Sequence, residues 1–225
     1  MTQIFLAALF FVGVHLFVAG TGLRDRLVAV LGERGYQGVF SLLALAGIVW
    51  LCAAWVGAPP EAPAWNGSGM RPVVQIVMVL AFLLVAIGLT TPSPTATGGE
   101  GQLRSEEPAR GILRVTRHPF LWGVALWGLC HVLVNPDPPS LLFFGALLVL
   151  ALAGPFSIDA KRRRKYGESW DAFAAVTSNV PFAAIAAGRN RLVLGELGWW
   201  RIALGLGLYA AFLMLHATLF GASPY

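Results

Sequence analysis

The sequence predicts an all-α, polytopic membrane bundle of about six transmembrane helices, with both termini on the periplasmic side. Composition, apolar runs and the placement of basic residues predict it. The 225 residues are 57% apolar and only 12% charged, with a mean hydropathy of +0.70. A soluble domain carries about 25% charged residues. Half that charge cannot coat a water-soluble globule, so a soluble enzyme and a disordered chain are excluded. The two cysteines, Cys52 and Cys130, both lie in apolar runs and make no disulfide framework.

A helix needs about 20 apolar residues to cross a hydrocarbon core of about 30 Å. The stretches 4–20, 37–56, 73–90, 118–134, 140–158 and 200–220 meet or approach that length. The first lacks a positive n-region and a small-residue cleavage site, so a permanent span is expected rather than a signal peptide. Arg117-His118-Pro119 opens the fourth, where proline suits a first helical turn. Asn135-Pro-Asp-Pro-Pro139 allows only a tight hairpin before the fifth. Trp199 and Trp200 form an interfacial aromatic belt at the start of the sixth.

The basic residues orient the bundle. Arg24, Arg26 and Arg34 follow the first span, and Arg104, Arg110, Arg114 and Arg117 follow the third. The run from Lys161 to Lys165, with Arg189 and Arg191, follows the fifth. These three loops hold fourteen of the sixteen basic residues, which puts them on the cytoplasmic side of a bacterial inner membrane. We therefore read residues 1–225 as a single membrane domain in contact with lipid. Residues 91–110, Pro/Gly-rich and polar, read as a mobile cytoplasmic linker. Residues 159–198 read as a cytoplasmic segment. Within it, Tyr166, Trp170 and Phe173 share one face of a cationic amphipathic helix lying on the inner leaflet. The excess of positive charge thus has a topological cause and implies no nucleic acid.

Ionisable groups inside hydrocarbon are expensive and point to function. No Asp or Glu sits mid-span, and no nucleophile elbow, phosphate loop or zinc motif is present. Histidine remains. His15, His131 and His216 lie on three spans, and His118 sits at a helix mouth. Such an imidazole ligates a metal, hydrogen-bonds across helices or sits at the interface. Two of them on facing helices suit bis-histidine ligation of a haem. His118 and His131, thirteen residues apart, point about 140° away from each other on one helix. By depth, His131 matches His216, each within about 8 Å of the periplasmic end, while His15 lies nearer mid-depth. The pairing stays open on these grounds.

The run from Gly111 through Arg117-His118-Pro119 to Trp127-Gly-Leu-Cys-His131 strongly resembles the NnrU family of membrane proteins, linked to denitrification and nitric-oxide metabolism. His15 with Gly22-Leu-Arg-Asp-Arg-Leu27 and Gly32-Glu-Arg-Gly-Tyr36 resembles the family's first loop. Tyr166-Gly167, the TSNVPF run at 177–182, Gly188-Arg189 and His216 with Gly221 and Ser223 continue the likeness. The resemblance implies an inner-membrane protein of nitrogen-oxide metabolism. The plant and cyanobacterial 15-cis-zeta-carotene isomerases are similar to the same family and are haem b enzymes. By that likeness His15 and His131 are the axial ligands, with Arg117, His118 and His216 as further cofactor-binding candidates. A cis–trans isomerase of a lipophilic polyene is the alternative function, with no plastid transit segment expected. The isomerases carry a Cys three residues before the second histidine, where this chain has Gly128. A looser resemblance, to isoprenylcysteine carboxyl methyltransferases, rests on Arg117-His118-Pro119 with Gly123, and on Tyr166, Gly167, Trp170 and Phe173. It implies S-adenosylmethionine at the cytoplasmic face and a third function, methyl transfer. A non-catalytic scaffold is the fourth.

Overall fold

The computed structural model describes residues 1–224, and no strand occurs among the described residues. Helix α1 (Thr2–Gly13) runs into a wider π-helical turn, Val14–Val18, where the Ala19 N–H donates to the Val14 carbonyl at 3.1 Å. Helix α2 (Leu23–Val56) is 34 residues long but breaks at Gly32, whose φ of +71° favours glycine. Helix α3 (Arg71–Thr90) follows, then α4 (Pro119–Val134) and α5 (Pro138–Tyr166). Asp137 begins α5 by accepting the Ser140 N–H at 3.0 Å, which satisfies one donor of the first turn. Short helices α6 (Glu168–Val176) and α7 (Ala183–Ala186) precede α8 (Trp199–Phe220), which ends at left-handed Gly221.

Four helices are long and apolar enough to cross a membrane: Leu23–Val56, Ser68–Thr90, Pro138–Tyr166 and Trp199–Phe220. Thr2–Val18 and Pro119–Val134 are shorter apolar helices. Only 6% of the apolar window of Trp199–Phe220 is buried within the chain. A helix that apolar and that uncovered is built to face lipid. The molecule is an all-α, multi-pass membrane protein.

The chain divides into two compact units. Unit 1 comprises Met1–Met70 and Trp127–Ser157. Its core joins Ile4, Ala7 and Phe11 of α1 to Leu51 of α2 and Phe143 and Phe144 of α5. Gly128 of α4 lets α5 come close, since a Cβ there would lie 3.2 Å from Leu148 Cβ. Unit 2 comprises Arg71–Leu126 and Ile158–Tyr225. In its core Ile87, Leu113 and Val115 pack with Trp170 and Phe173.

Two expectations are corrected in unit 2. The stretch 159–176 is not one helix on lipid. It continues α5 to Tyr166, breaks at Gly167 (φ +50°), and resumes as α6. Trp170 and Phe173 are each 1% exposed and bury that aromatic face in protein. Residues 91–110 are pinned rather than loose. Thr95 Oγ1 donates to the Arg117 carbonyl at 3.0 Å, and the Arg162 guanidinium reaches the Ala96 carbonyl and Glu100 at 2.9 and 2.7 Å. Polar composition marked the segment as solvated; partners far along the chain hold it.

Candidate functional site

Both proposed axial histidines lie in unit 1, and local backbone sets their tautomers. His15 occupies the π-helical turn, a distortion common at functional sites. Its Nδ1 is 2.8 Å from the Phe11 carbonyl oxygen, an acceptor, so Nδ1 carries the proton. His131 repeats the arrangement, with Nδ1 2.9 Å from the Trp127 carbonyl oxygen. With Nδ1 as the donor, Nε2 is the nitrogen through which either ring would bind a metal. Each ring has its own aromatic neighbours. His15 lies 4.6 Å from Phe11 and 5.3 Å from Phe40, while His131 lies 4.5 Å from both Trp127 and Phe144. Phe11 and Phe144 belong to one buried cluster. By donor chemistry, imidazoles flanked by aromatic rings are of the type that ligates a haem.

Arg117 and His118 are brought together in unit 2 by Asp159. Asp159 Oδ2 accepts from Arg117 Nε and a terminal guanidinium nitrogen at 2.9 and 2.6 Å. Asp159 Oδ1 takes His118 Nε2 at 2.7 Å. The His118 residue is 3% exposed. Burial pushes its imidazole below the usual histidine range, against the pull of the Asp159 carboxylate. The ring is thus neutral at pH 7, donates Nε2–H to Asp159 and keeps its lone pair on Nδ1. Asp159 offered one sequence signal: it is the lone acid between Asp137 and Glu168, just before the basic run.

Beside this triad lies a cleft of about 620 Å³, walled by residues 88–99, by Pro119–Leu121 and by Ile158, with His118 in its lining. A second polar cluster braces the same unit. Arg114 Nε bonds Glu196 at 2.8 Å, and its two terminal nitrogens take Asn190 at 2.9 Å and Glu107. The Gly111 N–H also reaches Glu196 at 2.7 Å. The Arg114 guanidinium, aided by that amide, holds the Glu196 carboxyl at about 2. His216, near the end of α8, has Nδ1 2.7 Å from the Ala222 carbonyl.

A multi-pass helical membrane protein with two backbone-anchored imidazoles in one unit and a charge-clamped imidazole in the other is the class these features define. The chain belongs to the NnrU family, whose model, described as NnrU protein, matches residues 3–224. It is similar to a "15-cis-zeta-carotene isomerase, chloroplastic" of Zea mays, 26% identical over 193 residues, covering 83% of this chain and 51% of the relative. The protein of the same description from Arabidopsis thaliana is 27% identical over 190 residues, covering 82% and 50%. The chain thus spans about half the length of the curated relatives it matches. No solved structure matches it.

Proposed function

We propose that the protein is a cis–trans isomerase of a lipophilic polyene, working on a haem b held by His15 and His131. The carrying observation is the tautomer that backbone carbonyls impose on both rings, beside one aromatic cluster. The likeness to two carotene isomerases along most of the chain supports the reaction class. Bound haem would supply an iron able to exchange an electron with a polyene. The chain's own part is to orient the two ligands through the Phe11 and Trp127 carbonyls among aromatic side chains. Six spans with periplasmic termini in a bacterial inner membrane complete the proposal, on the asymmetry of the basic loops.

Purified protein in mild detergent, supplemented with haem, is expected to show a Soret band that His15→Ala and His131→Ala each remove. A wild-type protein without that band overturns the cofactor. Expression in a strain accumulating a poly-cis carotene tests the reaction, and unchanged pigment stereochemistry sinks it. A haem protein of nitrogen-oxide metabolism is the second reading, favoured by one observation. Gly128 offers no thiol, and its place against Leu148 leaves little room for one. A Soret band that shifts with nitric oxide, with carotene unaltered, selects this reading.

A further inference from the structure

The cleft in unit 2 contains a feature the isomerase reading does not use. His118 is a buried ring whose Nε2 is committed to Asp159, while Nδ1 takes no hydrogen bond among the described residues. The ring, with its side chain only 1% exposed, belongs to the wall of the cleft. A buried acceptor without a donor is costly, by about 1–3 kcal/mol, unless a ligand or water satisfies it.

The surrounding charges restrict what that donor can be. Asp159 is neutralised by Arg117 at 2.6 Å, and Glu100 by Arg162 at 2.7 Å, both ion pairs being mostly buried. With His118 neutral, the triad has no net charge to attract an anion or a cation. A carbonyl or ether oxygen meets the lone pair acceptor to acceptor. A neutral O–H fits. Leu89, Pro119, Phe120, Leu121 and Ile158 give the wall an apolar side for the body of the ligand, and Thr90, Thr91, Ser93, Thr95 and Thr97 line the rest. The volume of about 620 Å³ falls within the usual range for small-molecule sites.

We infer that this cleft binds an amphiphile through a neutral hydroxyl, which donates to His118 Nδ1 while Asp159 holds the ring in the accepting tautomer. A polyene hydrocarbon has no such donor, so this ligand is not the substrate of the proposed isomerisation. The hydroxyl can come from a membrane lipid headgroup or from a free long-chain alcohol, and the two are separable.

The test uses full-length protein labelled with ¹⁵N-histidine in an amine-oxide detergent, which carries no O–H. It is titrated with 1-dodecanol and, in parallel, with dodecyl methyl ether. The expected result is a saturable shift of the His118 Nδ1 resonance with the alcohol and none with the ether. Phosphatidylcholine nanodiscs with and without phosphatidylglycerol form the second arm. A shift there, with none from dodecanol, assigns the hydroxyl to the lipid headgroup; shifts in both arms support the shared chemistry. Equal responses to alcohol and ether, or no response to dodecanol or phosphatidylglycerol, overturn the site. His118→Gln, followed by tryptophan fluorescence in place of the lost resonance, is expected to weaken alcohol binding at least tenfold. Leu121→Trp fills the cleft from its apolar wall and gives the same loss with the triad intact. Full alcohol affinity in both variants also overturns the site.

Discussion

His15 and His131 in unit 1 and His118 in unit 2 are held in opposite ways. In unit 1, His15 and His131 lie among Phe11, Phe40, Trp127 and Phe144, and their Nδ1 atoms bond to backbone carbonyls one turn back. In unit 2, His118 is tied to a carboxylate that Arg117 neutralises. The arginines that pair while mostly buried lie in unit 2, which also holds the exposed pairs Arg110–Glu107 and Arg163–Asp171. Arg24 with Asp25 and Glu33 is the ion-paired group described within unit 1, and both acids are exposed. Arg114, Arg117 and Arg162, each mostly buried, all pair in unit 2. A backbone carbonyl fixes a tautomer without bringing charge, which suits a ring reserved for a ligand in hydrocarbon. A carboxylate fixes it more firmly but needs a cation at its back.

The contrast is open to measurement by denaturant titration in detergent micelles. Asp159→Ala has the largest expected effect, about 4 kcal/mol, because it strands the Arg117 guanidinium in a mostly buried place. Glu196→Gln comes next at about 3 kcal/mol, since Arg114 keeps Glu107 and Asn190. Gly128→Cys tests the other unit, where the added side chain crowds Leu148 and costs about 1–2 kcal/mol. His15→Gln has the smallest effect, about 1 kcal/mol for one lost hydrogen bond, while removing the haem band entirely. A larger loss at His15 than at Asp159 reverses the comparison.

Acid sharpens it from another side. The Glu196 carboxyl titrates at about 2 in the folded protein, below its ordinary 4.5. A depressed carboxylate contributes stability that is fully present above the unfolded value and disappears as pH falls through the folded one. Wild-type protein is therefore expected to lose stability between pH 4.5 and 2, with a shallower loss in Glu196→Gln. Equal slopes in the two proteins remove Glu196 as the cause.

Helix positions were largely legible in the sequence, because apolar runs report burial in hydrocarbon directly. Residues 73–90, 118–134 and 200–220 fall within a residue or two of α3, α4 and α8. The charged ends were harder. Helix α5 runs on through Lys161–Lys165 to Tyr166, since lysine and arginine are good helix formers that hydropathy counts as loop. The aromatic spacing of Trp170 and Phe173 correctly showed one face but not what covers it. Protein cores and lipid surfaces reward the same period. Arg117 and His118 were visible as a motif. Asp159, 41 residues beyond His118, and Glu196, 82 beyond Arg114, were not, because no local pattern records a pairing across that distance.

The π-helical turn at Val14–Val18 works as a phase shift along the first span. Closing a ring over five residues instead of four stores one surplus residue, and each residue turns an α-helix by about 100°. The stretch after the turn therefore presents a different stripe from the one an unbroken spiral would continue. Deleting a single residue there would leave the span's greasiness untouched while swinging the imidazole of position 15 out of step with the phenyl rings that now flank it.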